Sequence, residues 1–528
     1  MTALLHELLL DRAGAQPDAP ALQFKNNLQT YGGAAAQVEA FAAGLLGLGL
    51  QRQDRVAIFL PKQMETVVAM FGAVRAGCVF VPVNPILKAP QVEHILRDCN
   101  VKVLVTSPER LPVLAESLGR CSDLLHLVLV SQGDQADLPA LSVPHLSWSQ
   151  LLEPARERVG HRVIDTDMAS ILYTSGSTGK PKGVVLSHRN MVTGAASVAR
   201  YLENRASDRL LAVLPFSFDY GFSQLSTAFT TGASVVLMDY LLPRDVINAV
   251  SKFQITGLAG VPPLWSQLAE LPWPATVTDH LRYITNSGGA MPRATLGKLR
   301  TALPKTLSYL MYGLTEAFRS TYLPPGEVDK RPDSIGKAIP NAEILVVRPD
   351  GTACAANEPG ELVHRGSLVG LGYWNDPGKT AERFKPTPGR DPALILTEMA
   401  VWSGDTVRMD EEGYLYFIGR LDEMIKTSGY RVSPTEVEEV LFASGLVKDA
   451  VAVGVPHPTL GHAIAVIVAA LEGAHAPTDK LLEYCKQNLP NFMVPHHIEW
   501  RDDLPRSPNG KYDRPLLSAQ MRDRLVRE

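Results

Sequence analysis

The stretch Ile171-Leu172-Tyr173-Thr174-Ser175-Gly176-Ser177-Thr178-Gly179-Lys180-Pro181-Lys182-Gly183-Val184-Val185-Leu186-Ser187-His188 decides how the rest of the chain is read. Between Tyr173 and Lys182 it carries two glycines, five hydroxyl side chains and two lysines. Glycines let backbone N–H groups approach an anion, hydroxyls donate to its oxygens, and lysines neutralise its charge. Polyphosphate is the natural target, and a surface turn would not need this density of donors and cations. Spacing excludes the common phosphate loops. A Walker loop requires Gly-x4-Gly-Lys-Ser/Thr, whereas Gly176 and Gly179 are three apart and Pro181 follows Lys180. The dinucleotide fingerprint G-x-G-x-x-G is absent, as are the protein-kinase motifs.

Outward from this loop, apolar runs alternate with helical patterns. Arg55 to Leu60 reads as a buried strand, Gln63 to Ala76 as the following helix and Val79 to Val83 as the next strand. Val101 to Thr106 and Leu125 to Val130 continue the alternation. Gln132 to Pro154 is polar and contains proline, so a loop is expected there. A second set follows at Leu210 to Leu214, a helix from about Tyr220, Ser234 to Met238 and Gly257 to Val261. Strands followed by helices imply parallel pairing with helical crossovers, an α/β architecture. From about Ser334 to Phe417 short strands with Gly, Pro and Asp turns suggest a small β-rich subdomain. Beyond Gly419 the pattern is compact α+β: helix Pro434 to Ser444, strands Ala450 to Val455 and Ala463 to Ala470, helix Thr478 to Gln487.

Composition sets the outer bounds. The 528 residues are 45% hydrophobic and 20% charged, enough to bury a large core. The net charge of −4 offers no excess of cations for a nucleic-acid backbone. Cys78, Cys99, Cys121, Cys354 and Cys485 are scattered, with no CxxC pair, which argues against a zinc ribbon or a disulfide framework and for a cytoplasmic setting. No apolar run reaches the roughly 18 residues that span a bilayer, so no membrane insertion is expected. Glu7 and Asp11-Arg12 make the leucine-rich start an amphipathic helix rather than a signal peptide.

The stretch Tyr173 to Gly183 resembles the signature loop of the adenylate-forming superfamily: acyl-CoA synthetases, carrier-protein-loading adenylation domains and luciferases. Further motifs follow in that family's order. Asn286-Ser287-Gly288-Gly289-Ala290 is similar to its adenine-contacting turn, and Met311-Tyr312-Gly313-Leu314-Thr315-Glu316-Ala317 to its Tyr-Gly-x-Thr-Glu motif. Trp402-Ser403-Gly404-Asp405 resembles the Thr-Gly-Asp motif with Ser403 in place of Thr. Gly419 to Lys426 with Gly429 to Val432 resembles the hinge motif, and Asn509-Gly510-Lys511 the C-terminal lysine motif.

The resemblance implies a large N-terminal domain of parallel αβα sheets over residues 1–420, including the β-rich subdomain at about 334–418. It implies a small mobile α+β lid over residues 421–528. It also implies a reaction. Attack of a carboxylate on the α-phosphate of ATP gives an acyl-adenylate and pyrophosphate, and a thiol then displaces AMP. The first step brings an anion to a polyanion, so it needs charge neutralisation and positioning. By resemblance, Thr174, Ser175, Gly176, Ser177, Thr178, Gly179, Lys180 and Lys182 hold the β- and γ-phosphates. Thr315, beside Gly313, binds the α-phosphate, and Glu316 holds Mg2+. Tyr312 stacks on adenine beside Gly288, Gly289 and Ala290. Asp405 accepts from the ribose hydroxyls, with Arg420 close by. Lys511 bridges the substrate carboxylate and α-phosphate, and a rotation about Asp422 carries it away so that the thiol can enter. Gly429 would face the thiol arm.

The acid is less legible. Tyr220, Ser223, Gly260, Ser287, Met311 and Arg319 would line its pocket, a polar mixture unlike a long apolar tunnel. Asp219 falls where amino-acid-activating relatives bind the substrate ammonium, yet it equally reads as the N-cap of the next helix. Arg319 is expected either to pair with Asp219 or to bind a second acidic group, and pairing would weaken the amino-acid case. The substrate is therefore a small polar carboxylic or amino acid. The acceptor is the thiol of CoA or of phosphopantetheine on a separate acyl carrier protein. A non-catalytic nucleotide-binding regulator and a luciferase-like oxidative enzyme are the competing readings.

Overall fold

The computed structural model describes the chain outside residues 1, 132–137, 139, 154–159, 175–180, 390, 392, 421–423, 428–429, 458–459, 472–477, 490, 509 and 528. Among the described residues the strands form three sheets, two of them large. The first has eight strands, and its middle is parallel: Val79–Pro82, Arg55–Ile58, Val101–Thr106 and His126–Leu129 lie side by side. These strands are short valine- and leucine-rich runs because helices cover both faces of such a sheet. The sheet is mixed at one edge, where Met168–Thr174 and Lys182–Ser187 form an antiparallel hairpin around the phosphate-type loop.

The second sheet has fourteen strands. Its parallel part includes Ser234–Leu237, Arg209–Ala212, Gly257–Gly260, Tyr283–Asn286 and Leu307–Tyr312. Antiparallel pairing begins at Thr321–Leu323 and runs through Ser334–Ala338 into Leu415–Arg420 and Met399–Met409. The β-rich stretch is thus hydrogen-bonded onto the end of the large sheet. A third, five-stranded sheet contains Ile425–Thr427, Tyr430–Val432, Val447–His457, Gly461–Ala470 and His497–Arg501. Helices Pro434–Ala443, Thr478–Asn488 and Arg514–Arg527 accompany it in the chain.

Aromatic packing joins the two large sheets. Phe71 on helix Met64–Arg75 stacks 6.1 Å from Phe222 and meets Phe229 edge-on at 5.2 Å, while Phe80 stacks on Phe222 at 5.2 Å. All four rings are buried, and pairs of this kind add about 1 kcal/mol each beyond area burial. They fix helix Asp219–Thr231, which ends at Gly232 in the left-handed region at φ 80°. Its first residue, Asp219, is thereby held in a buried position.

One expectation fails. Residues 132–154 are not simply loop: His145–Ser147 adds an edge strand, and Trp148–Leu152 is a short helix. The cause is a capping box in that polar stretch, with Ser147 accepting from Gln150 N–H and Gln150 reaching back to the Ser147 N–H. Helix Glu7–Ala15 is amphipathic as expected, with Leu8 and Leu9 buried. Among the described residues no helix is long and apolar enough to cross a membrane.

Candidate active site

The parallel strands of the second sheet deliver their functional residues from carboxyl ends, where crevices form in sheets of this type. Chain leaving Arg209–Ala212 supplies Asp219, chain leaving Tyr283–Asn286 supplies Ser287, Gly288 and Gly289, and chain leaving Leu307–Tyr312 supplies Thr315 and Glu316. Thr174 and Lys182 pair directly at the loop end of the first sheet's hairpin. Ser175, Gly176, Ser177, Thr178, Gly179 and Lys180 lie outside the described residues.

Lys182 and Glu316 are brought together through a residue that sequence reasoning missed. The Lys182 ammonium stands 5.5 Å from the centre of the Tyr373 ring, and the Tyr373 hydroxyl donates to Glu316 Oε1 at 2.5 Å. Burial, then the Glu316 carboxylate, pushes the Tyr373 phenol well up. The Glu316 carbonyl also accepts from Gly370 N–H at 2.8 Å, which ties the motif to the strand carrying Tyr373. Only the short Gly372–Tyr373 pairing with Val184 and Val185 reveals this role, and that contact is non-local.

Tyr312 and Asp405, expected at the adenine and at the ribose, meet side chain to side chain. The Tyr312 hydroxyl donates to Asp405 Oδ2. Burial, followed by Asp405, drives the phenol well above its ordinary value. Asp405 pairs in register with Arg420 across the hairpin, and Arg420 Nη1 lies 3.5 Å from Asp405 Oδ1. Ser403, standing where Thr is usual, accepts from the Asp405 N–H at 3.0 Å and donates to the Leu362 carbonyl at 2.7 Å. The exchange therefore keeps the hydroxyl that ties strand Met399–Met409 to strand Gly360–Gly366 at this point.

Asp219 does not cap its helix. Phe218 occupies the N-cap, Asp219 is the first helical residue, and the cap carries no side-chain hydrogen bond. The carboxylate instead accepts from Thr315 Oγ1 at 3.0 Å and from Arg319 Nη1 at 2.6 Å. Asp219 and Arg319 are 3% and 2% exposed, so this is a buried ion pair. Arg319 reaches Asp219 because the chain turns sharply at Phe318, whose φ of 57° and ψ of −48° form a γ-turn closed by Arg319 N–H on the Ala317 carbonyl at 2.6 Å. No sequence signal marks a left-handed φ at a buried phenylalanine.

The other residues expected around the acyl group are buried and interlocked. The Arg319 guanidinium lies 4.7 Å over the Tyr220 ring, Tyr220 and Thr285 share a hydrogen bond of 2.5 Å, and Met311 sulfur accepts from Tyr201 at 3.0 Å. Ser223 and Ser287 are also buried, and Trp265 packs against Gly260.

Lys511 completes the site. It lies in a tight turn closed by the Arg506–Tyr512 bridge and by Ser507 N–H on the Lys511 carbonyl at 2.7 Å. Asn84 Nδ2 donates to the Pro508 carbonyl at 2.9 Å, holding the turn against the large domain. The Lys511 ammonium reaches to 5.4 Å from the Phe218 ring centre. Its side chain is open to solvent along the cleft, yet protein crowds its ammonium. That crowding lowers its pKa, Asp219 opposes the shift, and Arg420 adds to it. Asp422 and Gly429, the expected hinge and thiol-facing residues, lie outside the described residues. A separate cleft of about 670 Å³, bordered by Lys25, Lys62, Asp239 and Lys252, shares none of these residues.

The donor set suits a nucleotide and Mg2+. Gly288 keeps a cradle open that a β-carbon would fill against Lys511. Among the described residues no group of three His, Cys, Asp or Glu could hold a metal alone. Mg2+ would rest on Glu316 together with phosphate oxygens, as a hard cation that keeps several waters does.

Comparison with known proteins agrees. The model of AMP-binding enzymes matches residues 9–374, and the model of their C-terminal domain matches residues 436–511. A long-chain-fatty-acid–CoA ligase of Yersinia pestis is 30% identical over 99% of this chain and 94% of its own. A component of the linear gramicidin synthase of Brevibacillus parabrevis is 30% identical over 98% of this chain and 6% of its own length. ATP-bound MatB from Rhodopseudomonas palustris superposes with a TM-score of 0.86 at 25% identity, covering 99% of each chain. The o-succinylbenzoate CoA synthetase of Bacillus subtilis, in complex with its acyl-adenylate, gives 0.82 at 25% identity over 97% of each chain.

Proposed function

Because this chain belongs to the family of AMP-binding enzymes, we propose residue roles and a substrate class for a reaction that the family fixes. The chain is an AMP-forming ligase. It converts a carboxylic acid to an acyl-adenylate with release of pyrophosphate and then passes the acyl group to a thiol, using ATP and Mg2+. Neither the regulator nor the luciferase-like reading is favoured beside these relatives.

Thr174 and Lys182 bind the β- and γ-phosphates. Thr315 binds the α-phosphate, and Asp405, poised by Tyr312 and Arg420, takes the ribose hydroxyls. Mg2+ bound at Glu316 supplies charge neutralisation of the phosphate oxygens. Lys511 holds the substrate carboxylate and α-phosphate together and meets the negative charge that grows as they join. A compact ammonium suits that task.

One observation carries this reading. A lysine from the far end of the chain stands beside Gly288 and feels Asp219, Asp405 and Glu316 as charges. The C-terminal unit, residues 421–528, then swings away about Asp422 to admit the thiol, which we assign to CoA by kinship with the CoA ligases. The acid is small and polar. Asp219 already has Arg319 as its counter-ion, which removes the charge an α-ammonium would need. The scattered thiols, all free, favour work in the cytoplasm.

ATP–pyrophosphate exchange over a panel of carboxylic and amino acids, with and without CoA, tests this. Exchange with an acid, followed by CoA-dependent AMP release, is expected. Silence with every acid would remove the adenylation reading.

A further inference from the structure

Arg319 has more donors than the protein uses. Its Nη1 donates to Asp219 Oδ2 and to the Phe318 carbonyl at 2.8 Å. Its Nε and Nη2 are buried and meet no acceptor among the described residues. These two nitrogens form one edge of the guanidinium, with their N–H bonds parallel, the edge that grips two oxygens at once. The flat face is engaged, since Tyr220 and Phe318 lie 4.7 and 5.5 Å from the guanidinium carbon. Both atoms are buried from bulk solvent. An unmet buried donor is costly, so a pair of them in a native protein calls for an explanation.

The charge pattern says what belongs there. Asp219 and Arg319 cancel, and Thr315 takes the second carboxylate oxygen. An ammonium placed here would face Arg319 with Asp219 already matched. An oxygen acceptor would instead satisfy the free edge. The reacting carboxylate is assigned to Lys511, which stands over the Phe218 ring, whereas Arg319 stands over the Tyr220 ring. The acceptor therefore belongs on the body of the acid, away from the carboxyl that is adenylated.

We propose that the Nε–Nη2 edge of Arg319 is the specificity-determining group of this ligase and takes an oxygen acceptor on the substrate chain, a second carboxylate filling both donors at once. This rests on the adenylation reading above. It deepens that reading by excluding amino acids and plain hydrocarbon acids as preferred substrates.

The test is exchange on matched acids: butyrate, succinate, γ-hydroxybutyrate and γ-aminobutyrate, then hexanoate and adipate, then aromatic acids bearing the same groups. Oxygen-bearing acids should exceed bare and amino analogues by about a hundredfold in kcat/KM, since an analogue that leaves site donors unpaired is strongly rejected. Succinate or adipate leading identifies a carboxylate, and the hydroxy acids leading identifies a neutral oxygen. Arg319→Lys keeps a cation beside Asp219 but lacks the fork. It should collapse the preference, chiefly through KM. The double change Asp219→Asn with Arg319→Met leaves no buried charge and should turn the preference toward bare acids. Ligand-induced rise in Tm without ATP provides a readout apart from turnover. Robust exchange with bare or amino acids only would overturn the inference and leave the adenylation reading standing. An unchanged ranking in Arg319→Lys would do the same. Silence with all acids would remove both.

Discussion

Lys511 crosses Gly288 so closely that a β-carbon on the glycine would lie 3.0 Å from Lys511 Cε and 3.7 Å from its ammonium nitrogen. Gly288 also sits at φ 83°, where side chains are strained. The two facts make the residue necessary twice over. Gly288→Ala should lose about 1 kcal/mol or more of stability and displace the lysine. Displacing the lysine should lower exchange, by up to about a hundredfold if it shifts by about 1 Å. Exchange assays beside thermal melts separate the two effects: a full melt with normal exchange would contradict the placement.

The lowered pKa of Lys511 sets the alkaline limb of adenylation. The protonated form is the active one, so exchange is retained at low pH and falls as pH rises through the lowered value. That fall comes earlier than an ordinary lysine, near 10.5, would give. Lys511→Arg should move the limb upward and Lys511→Ala should abolish it, with exchange down about a thousandfold. Thioester formation from supplied acyl-adenylate should survive Lys511→Ala, measured as AMP release with CoA.

Tyr312 donates to Asp405, a carboxylate only 6% exposed. Tyr312→Phe removes that donor and should cost about 1–2 kcal/mol. The KM for ATP should rise while the KM for the acid holds. A change confined to the acid would place Tyr312 elsewhere in the site.

Glu439 gives the C-terminal unit a pH response. It lies on helix Pro434–Ala443 and faces Arg293 and Asp333 of the large domain, with Glu438 beside it. Burial first, then Asp333, push its carboxyl up to about 7, while Arg293 opposes. A carboxyl raised in the folded state resists ionisation there. The packed arrangement is therefore unpenalised below about pH 4.5 and loses stability as pH climbs toward about 7. Protease sensitivity of the C-terminal unit should grow over that window, and Glu439→Gln should flatten the response.

The sheets were legible because they are local. Val101–Thr106 is a valine run bounded by polar residues, and it forms a strand at those limits. The site was legible where one segment supplies both chemistry and spacing, as in Tyr312 to Glu316. It was not legible where contacts join distant segments. Tyr373 lies 57 positions from the Glu316 it serves, and no period or spacing links them. Asp219 showed its charge and Arg319 as one possible partner, but the choice was not decided in the sequence, because the pairing depends on the turn at Phe318. The strand His145–Ser147 was hidden by its polarity, since an edge strand needs no continuous apolar run.

That turn has an outward reach. Phe318 is fully buried, and its ring fills the space left by Gly194 on helix His188–Tyr201, where a β-carbon would come within 2.4 Å of the ring. Crowding position 194 would tilt the ring, the ring would twist the backbone, and the guanidinium next door would be re-aimed. Selectivity among acids is therefore tunable from position 194, which is outside the residues assigned to the acyl group, and residues 194 and 318 should vary as a couple in any redesign or library.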